Sequence, residues 1–395
     1  MHLLFMKPRE TSSDMMLRGL HIDIEGGFGG SSRSLYELVS RFDRERLFPM
    51  VAHRSCGPIT QRYNAIGLES RHLPEIVSFA PREFNSGKIF IVNIPRFLKI
   101  PKVIYKIKKI IAEQKIDYIH LNYEGLHVLG PSLRRQADIP IICHCRTIIP
   151  RNTWGRWVVK RIQSNCDYIF FISPNEEARF RDLESGRMMP GEVIWNIAKA
   201  SSHTFEKSNV PYAIYLGNID YLKGPDRLIE IAKELELTAA PPFKIKVFGE
   251  ARANPKFLNY IVEQAKALSL GNRLEFCGHT SEPERHLVSA LALIRPSRTN
   301  DPWGRDVIEA TINGVPVLAS GTYDGVVKPD HTGFLYDCFD PKQVTRDLMS
   351  LLVDPSRHAK LSENAKNEGW KFDGSHQVER FQTVVENLCN SVQRT

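Results

Sequence analysis

Residues 295–320 read RPSRTNDPWGRDVIEATINGVPVLAS, and this stretch decides the fold. The apolar run at 291–294 that precedes it predicts a buried strand, which ends where the proline and the polar turn begin. Apolar residues spaced for one face then predict a short helix, and Gly314 is placed to end that helix in a left-handed conformation. Residues 315–319 predict the following strand. Strand, turn, helix and strand in this order are typical of a parallel α/β sheet.

Two carboxylates flank the start of that helix. Asp301 lies in the turn ahead of it, and Glu309 lies about one turn inside it. The backbone N–H groups of Gly304, Arg305 and Asp306 belong to the first turn and point into the space between the two acids. Two acids with free amides at the end of a strand can hold a polyhydroxylated ligand. The same residues also suit an ordinary capped helix whose acids interact with the helix dipole.

The run resembles the signature of glycosyltransferase family 4, whose members are retaining enzymes with the GT-B fold. That signature is Glu-Pro-Phe-Gly, then four residues, then Glu-Ala. DPWG at 301–304 and EA at 309–310 have the same spacing, with Asp in place of the first Glu and Trp in place of Phe. The resemblance implies that Asp301 and the amides after it hold the donor sugar. It also implies that Glu309 holds the nucleotide ribose.

Length and composition limit the class of protein. The 395 residues predict two or three domains, and 42% hydrophobic with 25% charged residues is typical of a soluble globular protein. The net charge of +8 suits an anionic ligand or an anionic membrane surface, and it is too dispersed to indicate nucleic acid. The apolar part of the opening is too short for a signal peptide. Seven cysteines without a Cys-x-x-Cys pair indicate reduced thiols and a cytoplasmic protein.

Strands and helices alternate in both halves of the chain, which predicts two parallel sheets covered on both faces. Residues 193–197 resemble the family segment Val-Ile-Pro-Asn-Gly, which ends the first domain. The resemblance implies two Rossmann-like domains that face each other across a cleft. We predict a leader, an acceptor domain, a polar linker, a donor domain and a terminal helix that packs back on the acceptor domain, at residues 1–16, 17–197, 198–210, 211–370 and 371–395.

Two features of the first half are candidates for ligand contact. A glycine-rich turn at 26–30 follows the first predicted strand, where it can bring backbone N–H groups close to a phosphate or form only a tight turn. In family 4 a Gly-Gly at this place lines the acceptor and phosphate side of the cleft, and Gly29 and Gly30 match it. His144 ends a buried strand, and the resemblance implies that it approaches the transferred sugar. His120, on the preceding strand, is the alternative residue for this role. A purely structural role, as a packed and hydrogen-bonded histidine, is the alternative for His144 itself.

The second half contains a candidate diphosphate site. KG at 223–224 resembles the end of the family motif Gly-Arg-Leu … Lys-Gly, whose Arg and Lys clamp the donor diphosphate. Asn218 stands where that Arg is expected. Arg298 and Arg305 are the candidates for a second cation, and Arg305 is favoured because it lies in the first turn of the helix. Solvated arginines are the structural alternative, which we favour for Arg298.

These matches predict His144, Asp301 and Lys223 as catalytic residues. CGH at 277–279 resembles the loop whose backbone meets the nucleotide base. The predicted donor site consists of Gly29, Gly30, Asn218, Lys223, Gly278, His279, Asp301, Trp303, Gly304, Arg305 and Glu309. Family membership implies no obligatory metal and no other cofactor.

Residues 101–114, PKVIYKIKKIIAEQ, predict an amphipathic helix. Lys102, Lys106, Lys108 and Lys109 lie opposite its apolar stripe. The helix is either an ordinary surface helix with solvated lysines or a face that docks on anionic lipid.

Together these patterns predict a retaining hexosyltransferase that uses a nucleotide diphosphate sugar and a saccharide or lipid-linked acceptor. Its expected use is the synthesis of a cell-envelope polysaccharide or lipopolysaccharide. We expect a cytoplasmic protein, peripheral on the inner face of the plasma membrane. Two alternatives remain: a non-catalytic subunit that binds nucleotide sugars, and a GT-B nucleotide-sugar 2-epimerase.

Overall fold

The computed structural model describes residues 16–24, 30–79, 95–136, 138–202, 208–251, 254–280, 282–300 and 302–392. The chain divides into two compact units, which we call unit 1 (Met1–Ile197 with Gly374–Thr395) and unit 2 (Ala198–Asp373). Gly29 and Asp301 of the predicted site lie outside the described residues, as do residues 1–15 of the predicted leader and 203–207 of the predicted linker.

Unit 1 contains a seven-stranded sheet. Its strands are β1 Leu17–Asp23, β2 Leu47–His53, β3 Ser70–His72, β4 Tyr118–Leu121, β5 Ile141–Cys145, β6 Tyr168–Phe171 and β7 Gly191–Val193. Its helices are α1 Gly30–Val39, α2 Pro58–Ala65, α3 Ile100–Gln114, α4 Gly130–Gln136, α5 Thr153–Asn165 and α6 Pro174–Leu183, with a 3₁₀ turn at Glu124–Val128. The strand order is β3-β2-β1-β4-β5-β6-β7, and every pair is parallel.

Unit 2 contains a six-stranded sheet. Its strands are β8 Tyr212–Leu216, β9 Lys244–Phe248, β10 Leu274–Gly278, β11 Ala292–Arg295, β12 Val317–Ser320 and β13 Gly333–Tyr336. Its helices are α7 Arg227–Leu237, α8 Pro255–Ala267, α9 Pro283–Val288, α10 Arg305–Ile312, α11 Pro341–Val353 and α12 Pro355–Glu368, with 3₁₀ turns at Tyr221–Lys223, Leu270–Asn272 and Gly369–Phe372. The order is β10-β9-β8-β11-β12-β13, again parallel.

The central strands are buried on both faces, as parallel strands between two helix layers must be. All residues of β4, β5 and β8 are buried, so their near-continuous apolar runs are explained by two packing surfaces. In each sheet the strand order reverses once, between β1 and β4 and between β8 and β11. The carboxyl ends of the strands at such a reversal form a crevice where α/β proteins bind ligands. The prediction of an α/β chain with two parallel sheets is confirmed.

The terminal helix, α13 Ser375–Val392, belongs to unit 1. Its Phe381 is fully buried and stacks on Phe42 and Phe170 with ring centroids 5.3 and 5.1 Å apart. Arg46 binds two carboxylates of the helix, with Nε 2.8 Å from Glu386 and Nη1 2.7 Å from Glu379. Across the described ranges, no helix is long and apolar enough to cross a membrane.

Candidate functional site

The loop after β8 holds Lys223 against the turn that follows β11. The carboxylate of Asp220 accepts the Lys223 backbone N–H at 3.0 Å and caps the 3₁₀ turn. Gly224 has φ of 70°, and a Cβ there would lie 2.0 Å from the carbonyl oxygen of Pro296. Only glycine permits this approach. Lys223 is partly buried, whereas Asn218 is exposed.

The first turn of α10 lies at the same carboxyl edge. Gly304 is its N-cap, and a Cβ on Gly304 would lie 2.8 Å from Asp306 Oδ1 and 3.0 Å from Arg295 Nη1. Arg295 ends β11 and binds both carboxylate oxygens of Asp306 through Nη1, at 2.7 and 2.8 Å. Trp303 is 3% exposed. This ion pair between a buried arginine and a half-buried aspartate fixes the angle at which α10 leaves the sheet and the direction of its first backbone N–H groups.

Sequence reasoning gave Arg295 and Asn300 no role. The amide of Asn300 binds Thr322 through two hydrogen bonds, from Nδ2 to Oγ1 at 2.6 Å and from the Thr322 N–H to Oδ1 at 2.7 Å. These bonds join the turn before Gly304 to the loop after β12. The signal for Arg295 was available, because a charged residue that ends an apolar strand must find a partner when it is buried.

Arg305 and Glu309 form an ion pair one helical turn apart, with Arg305 Nη2 3.0 Å from Glu309 Oε1. Their side chains are 11% and 12% exposed. The sequence assigned these residues to diphosphate and ribose separately. The structure places the guanidinium against the carboxylate, where it fixes the orientation of Glu309, and the contact of either residue with a ligand stays a prediction.

Arg298 is not the solvated residue that we favoured from the sequence. Its guanidinium binds Asp226 at 2.7 and 2.5 Å and lies 4.0 Å above the ring of Tyr221. Its backbone N–H donates to Leu222 at 2.8 Å. These contacts tie the Lys223 loop to the turn before Gly304, so Arg298 serves the shape of the edge.

Gly278 and His279 lie at the end of β10. Gly278 has φ of 74°, and its carbonyl accepts the N–H of Gly249 at 2.9 Å, which joins it to the end of β9. His279 is exposed, and its Nδ1 lies 3.8 Å from Glu250 Oε1. The structure therefore brings this loop to the same edge as the Lys223 loop, since β9 lies between β10 and β8.

In unit 1, His144 is inside the molecule. His21, His120 and His144 lie on adjacent strands and form a chain, with 2.9 Å between the first two rings and 3.3 Å between the last two. His144 is 2% exposed, and burial lowers the pKa of all three rings, that of His21 to about 3. Phe381 of α13 packs on the rings of His21 and His120 and covers this row of histidines. Contact of His144 with a sugar stays a prediction, and its burial favours the packed alternative.

Polar side chains follow the strands at the carboxyl edge of unit 1. The Asn122 amide donates to Asp23 at 2.9 Å and accepts from Arg146 Nη2 at 2.6 Å. Burial raises the pKa of Asp23, which also accepts from the Ser32 hydroxyl at 2.5 Å. Gly30 begins α1 and is exposed. Within the described residues, no cluster of three or more His, Cys, Asp or Glu side chains could hold a metal ion.

Three of the four lysines of α3 are engaged in ion pairs. Lys106 and Lys102 bind Glu75 at 2.8 and 3.0 Å, and they lower the pKa of that carboxyl to about 2. Docking of this helix face on anionic lipid stays a prediction. Lys109 Nζ lies 3.5 Å from Glu113 Oε1 on the same helix and remains exposed. Lys108 is also exposed, and Tyr105 is 71% exposed.

Two family models match the chain. The one described as Glycosyltransferase Family 4 matches residues 28–196, and the one described as Glycosyl transferases group 1 matches residues 197–368. The chain belongs to glycosyltransferase family 4. The resemblance drawn from DPWG at 301–304 and EA at 309–310 is confirmed.

Curated relatives of this family 4 chain are glycosyltransferases. It is 24% identical over 369 residues to the GalNAc-alpha-(1->4)-GalNAc-alpha-(1->3)-diNAcBac-PP-undecaprenol alpha-1,4-N-acetyl-D-galactosaminyltransferase of Campylobacter jejuni, covering 92% of this chain and 96% of the relative. It is 25% identical over 239 residues to the poly(glycerol-phosphate) alpha-glucosyltransferase of Bacillus subtilis, covering 57% of this chain and 33% of the relative.

Solved structures share the fold. HepE of Anabaena, determined in complex with UDP-glucose, matches with a TM-score of 0.76 and 19% identity, covering 94% of this chain and 100% of HepE. Sucrose-phosphate synthase of Thermosynechococcus elongatus matches with a TM-score of 0.73 and 20% identity, covering 95% of this chain and 100% of that one. The GT-B assignment of this glycosyltransferase is confirmed.

Proposed function

We propose that this glycosyltransferase moves a hexose from a UDP-sugar to an acceptor hydroxyl and keeps the anomeric configuration. The bond between sugar C1 and the diphosphate oxygen breaks, C1 bonds to the acceptor oxygen, and the acceptor proton leaves. Structures of HepE contain UDP-glucose, UDP, or UDP with glucose, which supports uracil as the base of the donor.

One observation carries the proposal. At the carboxyl edge of unit 2, the loop that holds Lys223 is bonded to the turn that leads into Gly304 and α10. The loop supplies a cation, the helix supplies backbone N–H groups and a positive dipole end, and Glu309 supplies a carboxylate one turn further on. A nucleotide diphosphate needs these three groups together.

The charges of this edge define the roles. Arg295, Arg298 and Arg305 each bind a carboxylate, so each pair adds little net charge. We assign the departing diphosphate to Lys223 and to the amides of the first turn of α10, where stabilisation counts most in the transition state. Asn218 can add hydrogen bonds to a phosphate oxygen but no charge.

Further donor contacts follow from the loops around this edge. Glu309 accepts the ribose hydroxyls while Arg305 holds it in position. Gly278 and His279 meet the base through their backbone. The buried Trp303 supports the turn beneath the sugar, and the role of Asp301 in holding that sugar stays a prediction.

The acceptor belongs to cell-envelope glycan synthesis. Two relatives are named for substrates that carry phosphate, which are a PP-undecaprenol and a poly(glycerol-phosphate). Both names support an acceptor that carries phosphate esters and is lipid- or polymer-linked. Lys108, Lys109 and Tyr105 on α3 offer a basic and aromatic face to an anionic bilayer, which supports an enzyme that is peripheral on the inner surface of the plasma membrane.

Ligand-induced stabilisation and UDP release test the function. A ligand bound only by the native state raises its melting temperature. We expect UDP and at least one UDP-sugar to raise the melting temperature. We also expect the protein to release UDP from that UDP-sugar. Glu309→Gln should weaken the shift, whereas Glu363→Gln, an exposed acid of α12, should not. Absence of both a shift and UDP release in wild type would contradict the proposal.

A further inference from the structure

The loop that carries Lys223 also exposes two large apolar side chains. Tyr221 is 60% exposed and Leu222 is 51% exposed, although both belong to the short 3₁₀ turn that ends at Lys223. Phe257, in the first turn of α8, lies edge-on to the Tyr221 ring with the ring centroids 6.2 Å apart. Tyr260 lies one turn further along α8 and is 54% exposed. We call these four residues the Tyr221 patch.

Tyr221 is held in a fixed position by Arg298. The guanidinium lies 4.0 Å from the centre of the ring and is itself held by Asp226 through two hydrogen bonds, at 2.7 and 2.5 Å. The Tyr221 carbonyl accepts from Arg298 Nη1 at 2.7 Å, and the Leu222 carbonyl accepts from the Arg298 backbone N–H at 2.8 Å. A side chain that is already ordered loses little further freedom when it binds a ligand. The exposed part of the ring is therefore preorganised for contact.

The Tyr221 patch and the proposed donor contacts lie towards opposite faces of the unit 2 sheet. Helices α7 and α8 connect β8, β9 and β10 in one direction across the sheet, and α9 and α10 connect β10, β11 and β12 in the other. Because parallel crossovers are right-handed, the two pairs of helices cover opposite faces. Tyr221 contacts α8 through Phe257, whereas Glu309 and the backbone N–H groups that we assign to the donor belong to α10. The patch therefore suits a second ligand.

The proposed retention of configuration indicates which ligand this is. When the configuration at C1 is kept, the acceptor oxygen bonds to C1 on the face that the diphosphate leaves. The acceptor oxygen must then lie beside the diphosphate, with reacting atoms about 3–3.5 Å apart before transfer. Lys223 holds that diphosphate in the proposed function, and Tyr221 lies two residues earlier on the same turn. The reacting end of the acceptor therefore lies close to the Tyr221 patch.

The chemistry of the patch suits a sugar ring. The face of an aromatic ring is negative, and the C–H groups on one face of a pyranose carry a partial positive charge, so the two faces attract each other. Two tyrosine hydroxyls and the exposed amide of Asn218, three residues before Tyr221, offer hydrogen bonds to sugar hydroxyls. A prenyl chain on the same surface would bury these polar groups without partners, which costs free energy.

We propose that Tyr221 stacks on the apolar face of a pyranose ring of the acceptor, so that the acceptor is a saccharide at its reacting end. This rests on the proposed function, which supplies the role of Lys223 and the retention of configuration. Leu222 extends the apolar contact. Arg298 and Phe257 are positioning residues for the Tyr221 ring.

Saturation-transfer difference NMR of the full chain, saturated with UDP, tests this assignment. UDP fills the nucleotide site, so a bound glycoside reports on another place. The probes are the methyl α- and β-glycosides of glucose, galactose, N-acetylglucosamine and N-acetylgalactosamine. Sorbitol is the control that has hydroxyls but no ring, and geraniol represents a prenyl chain. We expect at least one glycoside to receive saturation, most strongly at the C–H protons of one face of its ring.

Three variants separate the aromatic ring from the shape of the loop. Tyr221→Leu keeps apolar bulk beside Arg298 but removes the ring, so it should weaken binding of that glycoside by about fivefold or more. Tyr221→Phe keeps the ring and its contact with Arg298, so it should stay within about twofold of wild type. Trp370→Ala removes another exposed aromatic side chain of unit 2, 66% exposed, and should also stay within about twofold.

The outcomes separate this inference from the proposed function. If wild type binds UDP but no glycoside receives saturation, or if Tyr221→Leu binds the glycoside as wild type does, the assignment to Tyr221 is overturned and the donor site stands. Stronger saturation of geraniol or sorbitol than of every glycoside overturns it too. A folded Tyr221→Leu protein that no longer binds UDP would assign the ring to the nucleotide instead. If wild type does not bind UDP, the proposed function fails and this inference fails with it.

Discussion

Glu309→Gln probes the proposed ribose contact, because it removes the charge of the side chain and keeps its shape. The Glu309 side chain is 12% exposed and receives a 3.0 Å hydrogen bond from Arg305, which the oxygen of Gln can also accept. We therefore expect the variant to fold. A hydrogen bond to a charged group contributes about 1.5–3 kcal/mol and a neutral one about 0.5–1.5 kcal/mol. A loss of about 1.4 kcal/mol weakens UDP binding about tenfold.

Titration with UDP and 2′-deoxy-UDP makes this test specific to the ribose. Wild type should prefer UDP by about tenfold, because the deoxy ligand lacks one hydroxyl for the carboxylate. In Glu309→Gln the preference should fall to within about twofold. Glu363→Gln should keep the wild-type preference. A folded Glu309→Gln protein with an unchanged preference for UDP would refute the ribose assignment.

Three further perturbations test other parts of the account. Lys223→Ala should lower UDP release by about a hundredfold or more, because a cation at the leaving diphosphate acts in the transition state; release within about twofold of wild type would place the diphosphate elsewhere. Acid should destabilise the protein, because the pKa of His21 is lowered to about 3 in the fold but is about 6.5 in an unfolded chain. The contribution of His21 to the free energy of unfolding is therefore complete above about pH 6.5 and falls by about 1.4 kcal/mol per pH unit below it. Unfolding followed between about pH 7 and 5 should show this loss in wild type and equally in the control His376→Gln, which changes an exposed histidine. Stability that rises on acidification would contradict the prediction. Changing Lys108 and Lys109 to Gln should reduce sedimentation with anionic vesicles, by about 1 kcal/mol per lysine at low salt, and wild type that does not sediment would exclude the lipid surface.

The sheets could be predicted from the sequence because parallel strands buried on both faces read as apolar runs. The alternation of strands and helices that was predicted for both halves of the chain is observed. Gly314 has the left-handed φ that was predicted, 69°, and it ends α10 as expected. These features depend on residues that are neighbours in sequence.

Ion pairs across long sequence separations could not be predicted. Periodicity placed Lys106 on the polar side of α3, but nothing in its neighbourhood identified Glu75, 31 residues away. Arg298 and Asp226 are 72 residues apart and meet only because β8 and β11 are adjacent in the sheet. A pattern gives the face on which a charge lies, whereas its partner depends on the topology.

The same reasoning explains why the sequence favoured His144. Strand alternation showed that His144 ends an apolar run, and the resemblance supplied a role for a histidine there. The sequence did not show that α13, more than 200 residues later, covers that face through Phe381. Arg146 lay one residue beyond the strand, and its partner Asn196 is 50 residues away.

The stereochemistry of transfer tests the central claim most directly. Wild-type protein is incubated in water with UDP-α-glucose and, separately, with UDP-α-N-acetylgalactosamine, and the anomeric proton of the released sugar is followed by NMR before mutarotation. We predict that UDP appears together with the α-anomer for at least one donor. First appearance of the β-anomer would contradict retention, and no release of UDP from either donor would contradict transfer from these UDP-sugars.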